Sequence, residues 1–164
     1  MARKRSNGSQ AKSVGDQLRA AAATVVKATA MEIAANLRAS PSAGGTPVKT
    51  GHARANWILH VGSPFGGEVD GDAAAAAGYA DVASYELADG AIHLTNNTPY
   101  ILLLNAGWSK QAAALFIEAA IDRAVATMEA RYGSTTISVD RFRAIGGAIG
   151  AENVASAYSP FGDG

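Results

Sequence analysis

Trp57-Ile58-Leu59-His60-Val61 is the clearest two-residue alternation in the chain, with Trp57, Leu59 and Val61 pointing one way and Ile58 and His60 the other. A strand sends successive side chains to opposite faces, so this run predicts β-structure. It stands between stretches whose apolar residues recur every three or four positions, the spacing of a helix. The sequence therefore reads as α+β.

Upstream, Leu18, Val25, Val26, Ile33 and Leu37 fall at helical spacing, with Ala22, Thr29 and Ala30 filling the same face. Ser13 is the expected N-cap of this first long helix, and Ser40-Pro41 with Gly44-Gly45 ends it. Downstream, Asp72 precedes an alanine block, and Tyr79, Val82, Ala83 and Leu87 share one face of a second, shorter helix, with a break or bend expected at Gly78. Asp89-Gly90 signals a turn, and Ile92 and Leu94 alternate with His93 in a second strand. Asn96-Asn97-Thr98-Pro99 stops that strand. Residues 100–104 form a short apolar run that fits either strand or helix. Ser109 is the expected cap of a third helix whose stripe is Ile117, Ile121, Ala124, Val125, Met128 and Tyr132, and Gly133 terminates it.

The fold expected is thus two long helices and a shorter helix packed on a small antiparallel sheet, with extended loops and a C-terminal arm. Residues 1–12 read as a flexible basic tail, 13–133 as one domain and 134–164, rich in glycine, as the arm. Glycine-rich chain with few bulky residues buries too little surface to offset its ordering entropy. The stretches 44–51, 62–72 and beyond Gly133 are accordingly expected to be ordered mainly by neighbouring molecules.

Composition excludes several classes. At 164 residues the chain suits one core. Its hydrophobic fraction of 48% includes 37 alanines, which favours close helix packing over large aromatic anchors. Fourteen Lys plus Arg balance fourteen Asp plus Glu, so no global field draws in nucleic acid or an anionic membrane. The absence of cysteine removes disulfides, thiolate nucleophiles and Cys-type zinc sites, and fits a reducing cytoplasm. No stretch reaches the roughly 18 to 20 apolar residues of a membrane helix. The basic start is not followed by a leucine-rich signal core, so a soluble, unprocessed protein is expected.

Catalytic constellations are missing as well. His52, His60 and His93 lie far apart in sequence and outside any metal-ligand spacing. There is no GxSxG elbow, no phosphate-binding GxxxxGK[ST] loop and no GxGxxG after a strand. Residues 62–67 carry glycines, but Ser63-Pro64-Phe65 between them removes an amide, which describes a loop more than a phosphate cradle. Glu68, Asp70 and Asp72 alternate as hard-cation ligands do, yet carboxylates beside glycines also describe a solvated turn. No metal, cofactor or catalytic residue is assigned, and the chain does not read as an enzyme. Arg3, Lys4, Arg5 and Lys12 form the one charge cluster. It suits a flexible tail, or a contact with DNA phosphates or an acidic neighbouring subunit.

Two segments carry a resemblance: Thr46-Pro47-Val48-Lys49-Thr50-Gly51-His52-Ala53-Arg54-Ala55-Asn56-Trp57, and Thr95-Asn96-Asn97-Thr98-Pro99-Tyr100 leading to Asn105-Ala106-Gly107-Trp108-Ser109-Lys110-Gln111-Ala112. Together, in this order and helical context, they resemble the two signatures of the bacteriophage tail-completion family, which includes neck and minor tail proteins of the protein Z type. In that family T-P-V-x-T-G-x-x-R-x-x-W follows a long first helix, and N-N-x-P-Y leads to G-x-S-x-Q-A and a long last helix. The resemblance spans roughly 14–132. It departs from the pattern at Asn105, where the family carries an acid, and at Ala113-Ala114-Leu115, where it carries proline and glycine.

The resemblance implies a structural virion protein, a ring subunit at the head–tail junction that completes or terminates the tail and helps join it to the head around the DNA channel. The implied partners are other copies of the chain, a head-closure or adaptor protein, the tail tube protein, and DNA passing through the lumen. The ring is hexameric because tails are six-fold, or dodecameric nearer the portal. The implied location is the neck or tail end of the virion, assembled in the host cytoplasm, with no membrane involved.

Physically, Pro47 holds an extended approach, Thr50-Gly51 makes a turn, and Arg54 is set to stack on a ring or meet an acid from a neighbour. Asn96 and Asn97 suit turn geometry. Such residues also simply shape a monomer. Arg54, Trp57, Tyr100, Trp108, Lys110 and Gln111 are the candidates for contacts between subunits, because arginine and aromatics dominate interface cores. The alternatives are a nucleic-acid-binding module using the basic N-terminus, or an enzyme of unrecognised type.

Overall fold

The chain divides into two units, Met1–Ser134 and Thr135–Gly164. The computed structural model describes residues 6–133, all in the first unit; the expected C-terminal arm and Arg3, Lys4 and Arg5 lie outside the described residues.

Helix α1, Ser6–Arg38, is 33 residues long, about 50 Å at the helical rise. Its packed stripe is Ala23, Thr29, Ile33, Ala34 and Leu37, all buried on one side of the helix. The helix begins at Ser6 and not at Ser13: Gln10, Ala11 and Lys12 are helix formers, and the helix continues back through Asn7 and Gly8 despite their preference for turns. Residues 6–12 are therefore helix, where the sequence suggested tail. Leu18, expected on the packed face, is 67% exposed and Val14 55% exposed. The helix outruns the elements that cover it.

After α1 the chain turns through Pro41–Ala43 and Gly44. The stretch 44–51, expected to depend on neighbours, is anchored within the chain: Gly45, Thr46 and Pro47 are buried, and a Cβ on Gly45 would lie 2.2 Å from the Ala39 carbonyl oxygen. The short helix α2, His52–Ala55, leads into β1, Ile58–Val61. Helix α3, Ala73–Ala83, ends before Leu87, which falls in a separate 3-10 turn, Leu87–Asp89. Strand β2, Ile92–Thr95, pairs antiparallel with β1 in the register Ile58↔Thr95, Leu59↔Leu94, His60↔His93, Val61↔Ile92. The open run at 100–104 is helical, α4 being Ile101–Leu103, continued by a wide turn, Leu104–Trp108.

Helix α5, Phe116–Tyr132, starts well after Ser109. Ser109 does not cap it; its hydroxyl accepts from Gln111 N at 3.2 Å instead. The chain enters α5 through Leu115, a non-glycine residue at φ 62.

One sheet face carries the core. Leu59, with Val61, Ile92 and Leu94, packs against Ala30, Met31 and Ala34 of α1 and Tyr79 and Val82 of α3. Helix α5 lies along α1, burying Phe116, Ala120, Ile121, Ala124 and Met128. Alanines at such a contact let two backbones approach closely. The Asn36 side chain crosses this contact to the Ala120 carbonyl. The architecture is therefore α+β, with the two long helices side by side and α1 and α3 against a two-stranded sheet. Among the described residues, no helix is long and apolar enough to cross a membrane.

Gly78 does not break α3. A Cβ there would lie 2.3 Å from the Leu59 carbonyl oxygen, so glycine is the residue that lets the helix rest on β1. Alanine normally gains about 1 kcal/mol over glycine in a helix. At Gly78 the backbone clash outweighs that gain, and Gly78→Ala should cost at least 1–3 kcal/mol, as overpacking does. Gly66→Ala, with open space around it, should be neutral. Urea denaturation of both variants checks this.

Candidate functional site

The two segments that carry the resemblance are bonded into one structure. Thr46 is fully buried; its backbone N–H and its hydroxyl both donate to the Leu37 carbonyl, at 2.9 and 2.7 Å, and its hydroxyl accepts from Trp57 Nε1 at 2.7 Å. The first segment is thereby tied to the C-terminal end of α1 at one end and to the start of β1 at the other. Arg38, from the last turn of α1, donates to the Arg54 and Ala55 carbonyls and meets the Asp72 carboxylate at 2.5 Å. A cation over terminal helix carbonyls satisfies acceptors that lack an intrahelical partner.

The asparagines of the second segment do more than turn the chain. Asn96 Nδ2 donates to the Ala53 carbonyl at 2.7 Å while its Oδ1 accepts from Thr98 N and Thr98 Oγ1. Asn97 Nδ2 donates to the Phe65 and Gly67 carbonyls, both at 2.8 Å. Gln111 Oε1 accepts from Val48 N at 2.8 Å. Apart from the Asn96–Thr98 bonds, which are internal to the second segment, these bonds run to the first segment or to the loop that follows β1.

Asn105 organises the approach to α5. Its backbone carbonyl accepts from Leu115 N, its Oδ1 from Ile117 N, and its Nδ2 donates to Glu118 Oε2 at 2.8 Å. It acts as a cap supplied from outside the helix. An acid at this position would face the Glu118 carboxylate without a proton to share, which accounts for asparagine here.

The interface candidates separate accordingly. Trp57 is buried at 6% exposure with its N–H satisfied inside the chain; it belongs to the core and offers no surface to a neighbour, because an indole at the start of a buried strand finds its partner in Thr46. Gln111 is exposed but its amide oxygen is used internally. Arg54 is half-buried in a cleft lined also by Thr50, Gly51, His52, Asp70 and Asp72. No aromatic ring among the described residues stacks on it. Tyr100, Trp108 and Lys110 lie on the surface, Trp108 at 76% exposure. Lys12 is exposed on α1, so it is not part of a free tail.

The carboxylates weighed as cation ligands have other partners. Glu68 and Asp70 flank His52, and Asp72 pairs with Arg38. Among the described residues no group of three or more histidine or acidic side chains is placed to hold a metal ion. Burial raises the Tyr79 hydroxyl above its ordinary range, with Arg38 opposing and Glu32 adding to the shift. The Asn56 clamp on Val69, in which Nδ2 donates to the Val69 carbonyl and Oδ1 accepts from Val69 N, was not legible in sequence, since nothing local marks a partner 13 residues away.

No protein-family model, curated protein or solved structure matches the chain.

Trp57→Ala should destabilise by about 3–5 kcal/mol, the usual cost of aromatic truncation in a core. His60→Ala and His93→Ala, on half-buried positions, should be tolerated in the same thermal melts. Asn105→Asp should lower stability at neutral pH, and Glu118→Gln added to it should restore most of the loss, because the amide again offers a donor. A deficit that persists in the double variant would show that charge opposition is not its cause.

Proposed function

We propose that the chain is a structural ring subunit at the head–tail junction of a tailed bacteriophage, completing or terminating the tail around the DNA channel. The observation that carries this reading is the mutual bonding of the two resemblance segments, together with the apolar surface beside the second. Asn96 and Gln111 reach from the second segment to the first, and Asn97 to the loop that follows β1. Leu102, Leu103, Trp108 and Leu115 stand exposed around it, with Tyr100 and Lys110 in the same stretch. Exposed leucines with a tryptophan suit a protein contact, where aromatics dominate the energetics. The internal bonds leave Arg54 and Trp108 free to serve neighbours, since neither is needed to hold the segments together.

A ring subunit works by offering two complementary surfaces, and heterologous contacts close when the rotation permits. Loss of the protein should leave heads packaged and tails polymerised but yield few joined infectious particles, as read in electron micrographs of the lysate. Normal joined virions without it would overturn the proposal. Empty heads with unpackaged DNA would move the subunit to the portal side of the neck.

Trp108→Ser should change the stability of the isolated chain by no more than about 0.5 kcal/mol, as expected of an exposed position, yet weaken ring assembly. Arg54→Ala should reproduce part of the joining defect if Arg54 meets an acid on the next subunit, because removing one partner of a buried charge pair costs about 2–5 kcal/mol per interface. Sedimentation of the variants beside the wild type measures both.

A further inference from the structure

His52 opens α2 and sits between two carboxylates of the loop that follows β1. Its Nε2 lies 2.7 Å from Glu68 Oε2, and its Nδ1 lies 3.5 Å from Asp70 Oδ1. Neutral imidazole has one N–H, and its other nitrogen presents a lone pair. An ionised carboxylate only accepts, so opposite that lone pair it has no proton to share and is repelled. Both contacts are attractive together only when the ring carries two protons and a positive charge.

We propose that His52 is a proton-operated latch: as imidazolium it holds Glu68 and Asp70 on α2 together, and on losing one proton it keeps Glu68 and releases Asp70. The order of release follows from the geometry. Glu68 is within hydrogen-bond distance and only partly exposed, whereas Asp70 is at the longer distance and fully open to water. The other charged groups lining the cleft are Arg54, on α2 itself, and Asp72, which Arg38 of α1 holds.

Two of the remaining anchors of the loop are amides, which do not titrate. Asn97 fixes the Phe65 and Gly67 carbonyls, and Asn56 fixes Val69 at both its N–H and its C=O. The loop is thus pinned through Val69 and again at Asp72, and the released piece is Asp70 with Gly71. Gly71 sits at φ +78, a conformation glycine adopts without strain, and serves as the pivot. Asp70 and Gly71 form one wall of the cleft that holds Arg54, so the latch governs access to that guanidinium. The wall is therefore shut while the ring carries both protons and open once Nδ1 has lost its own.

NMR on the full chain tests this. Side-chain nitrogen shifts report which ring nitrogen carries a proton, and backbone relaxation at Asp70 and Gly71 reports the wall. As the pH is raised, Nδ1 should lose its proton while Nε2 keeps one, and the closed population should fall roughly two- to five-fold, the range of an exposed ion pair. Asp70→Asn supplies an amide donor to the Nδ1 lone pair, so its wall should stay closed over the same titration. His52→Gln should abolish the pH dependence. Loss of the proton from Nε2 first, flat dynamics at Gly71 through the titration, or an unchanged pH dependence in His52→Gln would each overturn the latch.

Discussion

The fold depends on how the chain leaves α1, and a single buried hydroxyl decides it. Thr46 donates to the Leu37 carbonyl and accepts from the Trp57 indole, so its buried hydroxyl both donates and accepts within the chain. Leaving either partner unmatched in such a place costs about 1–3 kcal/mol. The hydroxyl fixes the distance between the end of α1 and the beginning of β1. Without that distance Leu59 would not meet Ala34 and Val82 in the core. Arg38 reinforces the same junction from the other side by bonding the last carbonyls of α2.

From that junction the structure is assembled by side-chain amides more than by ion pairs. Asn56, Asn96, Asn97 and Asn105 each bond to backbone groups distant in sequence. An amide offers donors and an acceptor at once, so it can brace a loop without burying a charge. This suits a chain with a two-stranded sheet, whose short ladder satisfies few backbone groups. Thr95 is the exception, its buried hydroxyl lacking a partner among the described residues.

Periodicity made the elements legible and left their ends obscure. The alternation at 57–61 and 91–95 identified both strands, although burial does not follow it: Ile58 is as buried as Leu59, and all four residues of β2 are half-buried. The stripe of α5 was legible from its helical spacing, whereas those of α1 and α3 were legible only in part, since Leu18, Ala22, Val26 and Ala83 are exposed and Leu87 lies beyond α3. The start of α5 was not, since Asn105 determines it from outside the helix and Ala112, Ala113 and Ala114 carry no stop signal. Gly78 looked like a break because sequence shows the absent side chain but not the β1 carbonyl that requires the absence. Trp57 looked like an interface residue because its partner lies 11 positions away. The pairing of His52 with Glu68 and Asp70 likewise depends on a loop closing over 16 and 18 residues, for which no local spacing is diagnostic.

The overlength of α1 divides the molecule energetically. Residues 11–22 are almost wholly exposed, so this part of the helix holds itself by local hydrogen bonds alone, with Gly15 among them. A peptide helix of that length is marginal in water. The buried half, from Ala23 to Leu37, shares the stability of the core. One continuous helix thus joins a segment that frays at little cost to one that opens only when the whole unit does. Helical signal and tertiary signal will not report the same transition, and stability referred to either alone describes only part of the chain.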